Sequence, residues 1–314
     1  MAKQLYQYNY VINGLIPEQV KLKRKVWLKK DELLLEKKGD KLQAYLLGDD
    51  RDAFQGEDKI TPYLRFSSLI SNNAPDLEGC GGVGINSKEE LGTKPTLSAT
   101  ISIAYPDEAI SDIENYAHKF IRFIGKLHDR YIDVIDQNEF MKIALDYFYE
   151  AGKTLSHSSE GFINAVISLE ALFNEGPSDI KYKLSHRAAF LLGLCGDNPI
   201  EAFEKLKKIY DKRSKLVHGS GTLEYDPDSY LALRYTRRLI IAFLILLKNI
   251  KRANTSKHKR KSELLKEIDY AMLHGTIQSS LKNEIDKELK FFELTIPRTF
   301  EGTSKMGDYR ITVW

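Results

Sequence analysis

Cysteine is scarce in this chain: 314 residues include two, Cys80 and Cys195, far apart and in no metal-ligand spacing. That argues against a disulfide framework and for a reducing compartment. Long apolar runs are also lacking. The greasiest, LIIAFLILL from Leu239 to Leu247, is nine residues long between Arg238 and Lys248, far below the roughly 20 needed to cross a bilayer. The first residues, MAKQLYQYNYVING, contain no apolar signal-peptide core. The expectation is a cytoplasmic protein with no membrane partner. Neither sign of charge is in large excess. A net charge of +3 does not by itself call for a nucleic-acid partner, although local clustering of the basic residues would permit one.

Familiar catalytic signatures are missing as well. The seven histidines form no i, i+4 pair and sit near no Cys or acid array, so no metal is expected. There is no Walker loop and no G-x-S-x-G elbow, and no cofactor is expected. The run GCGGVG, Gly79 to Gly84, formally matches G-x-G-x-x-G. A dinucleotide site would need a buried strand before it and a long helix after it. Here NNAPDLE precedes it and a short segment ending at Gly92 follows, so Ser71 to Gly92 reads as loop.

What is present divides the chain into parts. Residues 1–105 read as a β-rich domain: KVWLKKDELLLEKKGDKLQAYLLG holds β-friendly runs broken by Gly39-Asp40, and TLSATISIAY alternates apolar and other residues. Residues 106–137 read as a connecting helix, with Ile110, Ile113, Tyr116, Ala117, Phe120, Ile124 and Leu127 at helical spacing. Residues 138–253 read as a helical domain, with helices near 137–151, 160–174, 180–194, 200–218 and 229–250. A C-terminal extension, 254–314, follows the basic stretch KRANTSKHKRKS, with short helices near 261–273 and 276–290 and a strand-like tail, DYRITVW. The class is α+β. Lys257, Lys259, Arg260 and Lys261 form a basic run that reads either as a solvated face or as a phosphate contact.

Candidate chemistry gathers in YDKRSKLVHGSG, Tyr210 to Gly221. Phe203, Leu206, Tyr210, Arg213 and Val217 step three and four residues along one side of a helix. Arg213 therefore occupies a slot where a core residue is expected, and a guanidinium there needs a partner or a cleft. Gly219 suits the left-handed position after a helix, leaving His218 at its last turn. Five residues of regular helix rotate the two side chains about 140° apart, so a site using both needs an unwound helix end or a second copy of the helix. Glu170, in FINAVISLEALF, and Arg187, in YKLSHRAAFLL, also intrude on apolar faces. They are read as supporting residues, with mutual ion pairing between Glu170 and Arg187 as one alternative.

The order ISLEALF, then YKLSHRAAFLLG, then LKKIYDKRSKLVHG resembles the Apea-like branch of the HEPN superfamily. Arg213-Ser214-x-x-x-His218 matches its R-x4-6-H motif, and the resemblance covers about residues 138–250. It implies a helical bundle that forms a homodimer with two motifs facing a cleft. For active members it implies metal-independent RNA cleavage, as in prokaryotic toxins and antiviral effectors. On this chain it implies Arg213 and His218 as catalytic residues and Ser214 as the polar residue after the arginine, where many members carry Asn. Lys212 and Lys215 would attract the RNA backbone. The alternatives are a non-catalytic HEPN nucleotide-sensing or scaffold module, and a structural protein in which Arg213 pairs with Glu170. The region before the helices, by its different composition, is where an activator or inhibitor would act.

Overall fold

Apolar residues at three- and four-residue spacing dominate the second half of the chain, and it folds as helix after helix. The computed structural model describes residues 5–13, 25–30, 32–38, 41–48, 53–70, 76–85, 113–154, 159–176, 179–219, 227–249, 260–293, 299–304 and 307–312. The architecture is α+β, in two compact units: Met1–Arg130 with Glu293–Trp314, and Tyr131–Phe292.

The first unit contains an antiparallel five-stranded sheet in the order β2-β3-β4-β1-β5. Its strands are β1 (Leu5–Asn13), β2 (Val26–Lys29), β3 (Leu33–Lys38), β4 (Lys41–Gly48) and β5 (Asp76–Ile85). The register Lys38↔Lys41 joins β3 to β4 across Gly39-Asp40, the turn signal in the sequence. Leu34, Tyr45 and Leu47 form a buried apolar cluster.

Two expectations are corrected here. The glycine-rich segment read as loop is the edge strand β5, paired along its length with β1. Its register sets Gly84, Gly82 and Gly79 opposite Tyr6, Tyr8 and Tyr10, with a shift at Tyr8/Asn9 that leaves Gly81 unpaired. Glycine is tolerated on an edge strand and at a bulge, where weak propensity is outvoted by ladder pairing. Within the region read as mostly strand, Ala53–Ile70 is a helix, α1. Its Ile60, Tyr63, Leu64 and Ser67 are buried at i, i+3, i+4, i+7, one helical face. The expected strand TLSATISIAY lies outside the described residues. The tail that read as strand-like forms β7 (Gly307–Thr312), paired with β6 (Thr299–Ser304).

Helix α2 (Ile113–Asp136) carries the chain from the first unit into the second. The second unit then contains α3 (Glu139–Thr154), α4 (Ser159–Phe173), α5 (Ile180–Leu194), α6 (Pro199–Val217), α7 (Pro227–Asn249), α8 (Arg260–Leu273) and α9 (Gly275–Glu293). Helices α8 and α9, expected in a C-terminal extension, belong to this unit up to Phe292. At its centre α4 packs against α3, α5, α6 and α7. Ser168 Oγ donates to the Ala144 carbonyl of α3 at 2.6 Å, and Thr236 Oγ1 of α7 donates to the Ala165 carbonyl at 3.3 Å. The apolar run Leu239–Leu247 is buried at every position, so its all-round hydrophobicity is that of a core helix. Among the described residues no helix is long and apolar enough to cross a membrane.

One close approach in the first unit is specific to glycine. A Cβ on Gly125 of α2 would lie inside van der Waals contact of the Leu28 backbone carbonyl oxygen of β2. Gly125→Ala is expected to destabilise the protein by about 1–3 kcal/mol, despite alanine's better helix propensity. Urea denaturation checks this, and an unchanged or raised midpoint would contradict it.

Candidate functional site

Helix α6 is well defined at both ends. Asn198 caps its start, its side-chain oxygen accepting from Ile200 N at 3.0 Å and Glu201 N at 3.2 Å, with Pro199 at the first helical position. At the other end His218 is the cap residue, its N–H donating to the Ser214 carbonyl at 3.1 Å, and Gly219 turns left-handed at φ +73°. The helix does not unwind before His218.

The inward face of α6 is lined by Ala202, Leu206 and Ile209, all buried. Steps of four, three and four residues carry this line from Ala202 through Leu206 and Ile209 to Arg213. The apolar stripe expected through Phe203, Tyr210 and Val217 is therefore shifted by a residue, and Val217 is 51% exposed. Arg213 Nη2 donates to Glu170 Oε2 of α4 at 3.2 Å, with 24% and 17% of the two side chains exposed. The Arg213 Nε is buried and finds no acceptor among the described residues. Tyr210 stands beside this pair: burial first, then the Glu170 carboxylate, push its phenol above the ordinary range.

The opposite face of α6 is open. Asp211, Ser214, Lys215 and His218 line a depression of about 320 Å3. Their spacing, i, i+3, i+4 and i+7, puts them on one stripe of the helix. Lys181 of α5 holds Asp211 from the side, its Nζ 2.6 Å from both carboxylate oxygens. The floor thus combines an imidazole, an ammonium, a hydroxyl and an acid already paired with a lysine. Lys212 sits apart from this stripe, its Nζ 5.3 Å from the centre of the Phe162 ring of α4.

Five expected site residues are therefore divided between two sides of α6. His218, Ser214 and Lys215 come together outside, while Arg213 joins Glu170 inside. Arg187 does not pair with Glu170. Its Nε and Nη2 donate to Asp269 Oδ1 and Oδ2 of α8 at 2.8 and 2.6 Å, and its Nη1 donates to Glu175 Oε2 at 2.9 Å. The Asp269 carboxylate is the main reason the guanidinium pKa is raised further. Arg187 is a buried clamp between helices, away from the depression's lining.

The basic run before α8 is also partly structural. Arg260 Nη1 donates to Gln137 Oε1 and Lys261 Nζ to the Ala171 carbonyl near the end of α4, both at 2.6 Å. Burial pushes the Lys261 ammonium down to about 8. Cys195 is half-buried, and desolvation pushes its thiol up to about 11, which leaves it protonated at neutral pH. Among the described residues no cluster of three or more His, Cys, Asp or Glu has the arrangement of a metal site. Asp211 and Lys181 escaped the sequence reading. The signal for Asp211 was its place on the His218 stripe; Lys181, 30 residues away from Asp211, offered none.

No protein-family model, no curated protein and no solved structure matches the chain.

Two outcomes follow from these contacts. A double-mutant cycle on Arg213→Ala and Glu170→Ala is expected to show a coupling of about 1 kcal/mol in urea denaturation, and additive losses would contradict the pairing. Lys261 binds fewer protons folded than unfolded between about 8 and its ordinary 10.5, so stability should rise with pH across that window. Relative to Lys261→Met, the wild type is expected to gain stability between pH 7 and pH 10, and a constant difference would contradict the assignment.

Proposed function

We propose that this chain is a metal-independent endoribonuclease of HEPN type, acting from the outer face of α6. The observation that carries the reading is the grouping of His218, Lys215 and Ser214 around one open depression, in a segment that also matches the R-x4-6-H motif. RNA supplies its own nucleophile, the 2′-OH beside the scissile phosphate. An enzyme then has to move protons and stabilise charge on the pentavalent transition state.

His218 is the proton-transfer group, taking the 2′-OH proton or donating one to the leaving 5′-oxygen. Lys215 faces the phosphate, with Lys212 adding long-range attraction. The Lys181–Asp211 pair leaves the acid neutralised beside an anionic ligand. Arg213 is a positioning residue: its bond to Glu170 fixes how α6 lies on α4, and with it where His218 stands. The products are a 2′,3′-cyclic phosphate and a 5′-OH, and single-stranded RNA is favoured because its backbone can adopt the in-line geometry. A cleft formed by a homodimer would bring two outer faces of α6 together. A toxin or defence role, with an activator or inhibitor acting through the first unit, completes the reading.

A second reading is a non-catalytic HEPN module that senses a nucleotide or scaffolds a partner. It is favoured by one observation, that Arg213 already has Glu170 as its partner.

Incubation of the full chain with mixed RNA in excess chelator separates the two. The nuclease reading expects cleavage that falls about 100-fold or more in His218→Ala. Glu170→Ala should cost as much as Arg213→Ala, because both act through one contact; a much milder Glu170→Ala would place Arg213 on the substrate instead. RNA bound but left intact by the wild type would establish the second reading.

A further inference from the structure

Two exposed rings and a half-buried one meet on the hairpin of α5 and α6. Tyr182, 60% exposed, lies nearly parallel to His186, with centroids 5.4 Å apart and planes at 12°. Phe203 of α6 meets both edge-on, at 6.0 and 6.1 Å. Being equidistant from the two, Phe203 braces the stack from its side. A tyrosine held this way keeps a flat face in solvent without the freedom of a lone surface ring.

The surroundings are cationic. Lys207 Nζ lies 5.0 Å from the centre of the Phe203 ring, and Lys181, next to Tyr182 in sequence, holds Asp211 at the edge of the depression. With Arg187 and Arg213 paired inside the unit, the two helices still carry seven lysines against Glu201, Glu204 and Asp211. Phe203 and Asp211 are separated by about 12 Å along the axis of α6, a distance that a short single strand spans.

We propose that Tyr182, braced by His186 and Phe203, is a stacking platform for an unpaired base of single-stranded RNA whose backbone runs along α6 to the depression at His218. The proposal rests on the reading of that depression as an RNA site and adds what holds the strand beside it. A flat aromatic face accepts any base, and the lysines around it track phosphates, so the platform selects single strands without selecting sequence. Double-stranded RNA keeps its bases stacked inside the helix and offers the platform nothing.

Fluorescence anisotropy on the full chain tests this, in a His218→Ala background so that the RNA stays intact. The probes are a labelled oligoadenylate of about ten nucleotides and the same ribose-phosphate chain without bases. Tyr182→Ala is expected to weaken oligoadenylate binding about tenfold while leaving the abasic chain within about twofold, and Tyr182→Trp should bind as the parent does. Circular dichroism melts confirm that the variants fold. Equal binding by Tyr182→Ala, equal loss for both probes, or no binding of oligoadenylate by the parent would each overturn the platform. So would a loss that sedimentation traces to a dissociated dimer, since the rings would then be covering a second copy. Cleavage is scored separately with His218 intact. A chain that binds through Tyr182 and cuts nothing loses the nuclease reading and keeps the platform.

Discussion

An α-helix turns about 100° per residue, and across the five residues from Arg213 to His218 this rotation decides what α6 can do. Arg213 continues the buried line of Ala202, Leu206 and Ile209 and meets Glu170. His218 lands on the exposed stripe with Asp211, Ser214 and Lys215. The helix keeps regular geometry to its cap, so the two ends of the motif work on different sides. The inner side sets the pose of α6 on the central helix α4; the outer side is where a ligand has access.

The same division runs through the charged residues of the helical unit. Arg187, Arg213, Arg260 and Lys261 all reach an acceptor on another helix or its flanking segment. With Ser168 and Thr236 they are polar fastenings of a largely apolar core. Buried guanidiniums of this kind are costly unless every one is matched, and the carboxylates of Glu170, Glu175 and Asp269 supply the match.

Much of the helical unit was legible because periodicity and punctuation agreed. The breaks Glu175-Gly176-Pro177, Gly196-Asp197-Asn198-Pro199 and Gly219 each fall at a helix end, and local chemistry alone fixes such ends. The β3–β4 hairpin was legible for the same reason. Strand β5 was not, since its glycines signal a loop and only the pairing with β1 makes it a strand. Helix α1 was hidden by Gly56 and Pro62 within it. At the site, the intrusion of Arg213 and Glu170 on apolar faces showed in the sequence, but the partner of each charge did not. Glu170 lies 43 residues from Arg213 and Asp269 lies 82 from Arg187, separations at which periodicity carries no information.

The central claim is that RNA lies along the outer face of α6, from the rings near Phe203 to His218. Photo-crosslinking the full chain to a single-stranded RNA carrying 4-thiouridine, followed by peptide mapping, tests it most directly. The account predicts crosslinks within residues 180–218, on α5, α6 and the cap. Crosslinks confined to the first unit, or to α8 and α9, would contradict it.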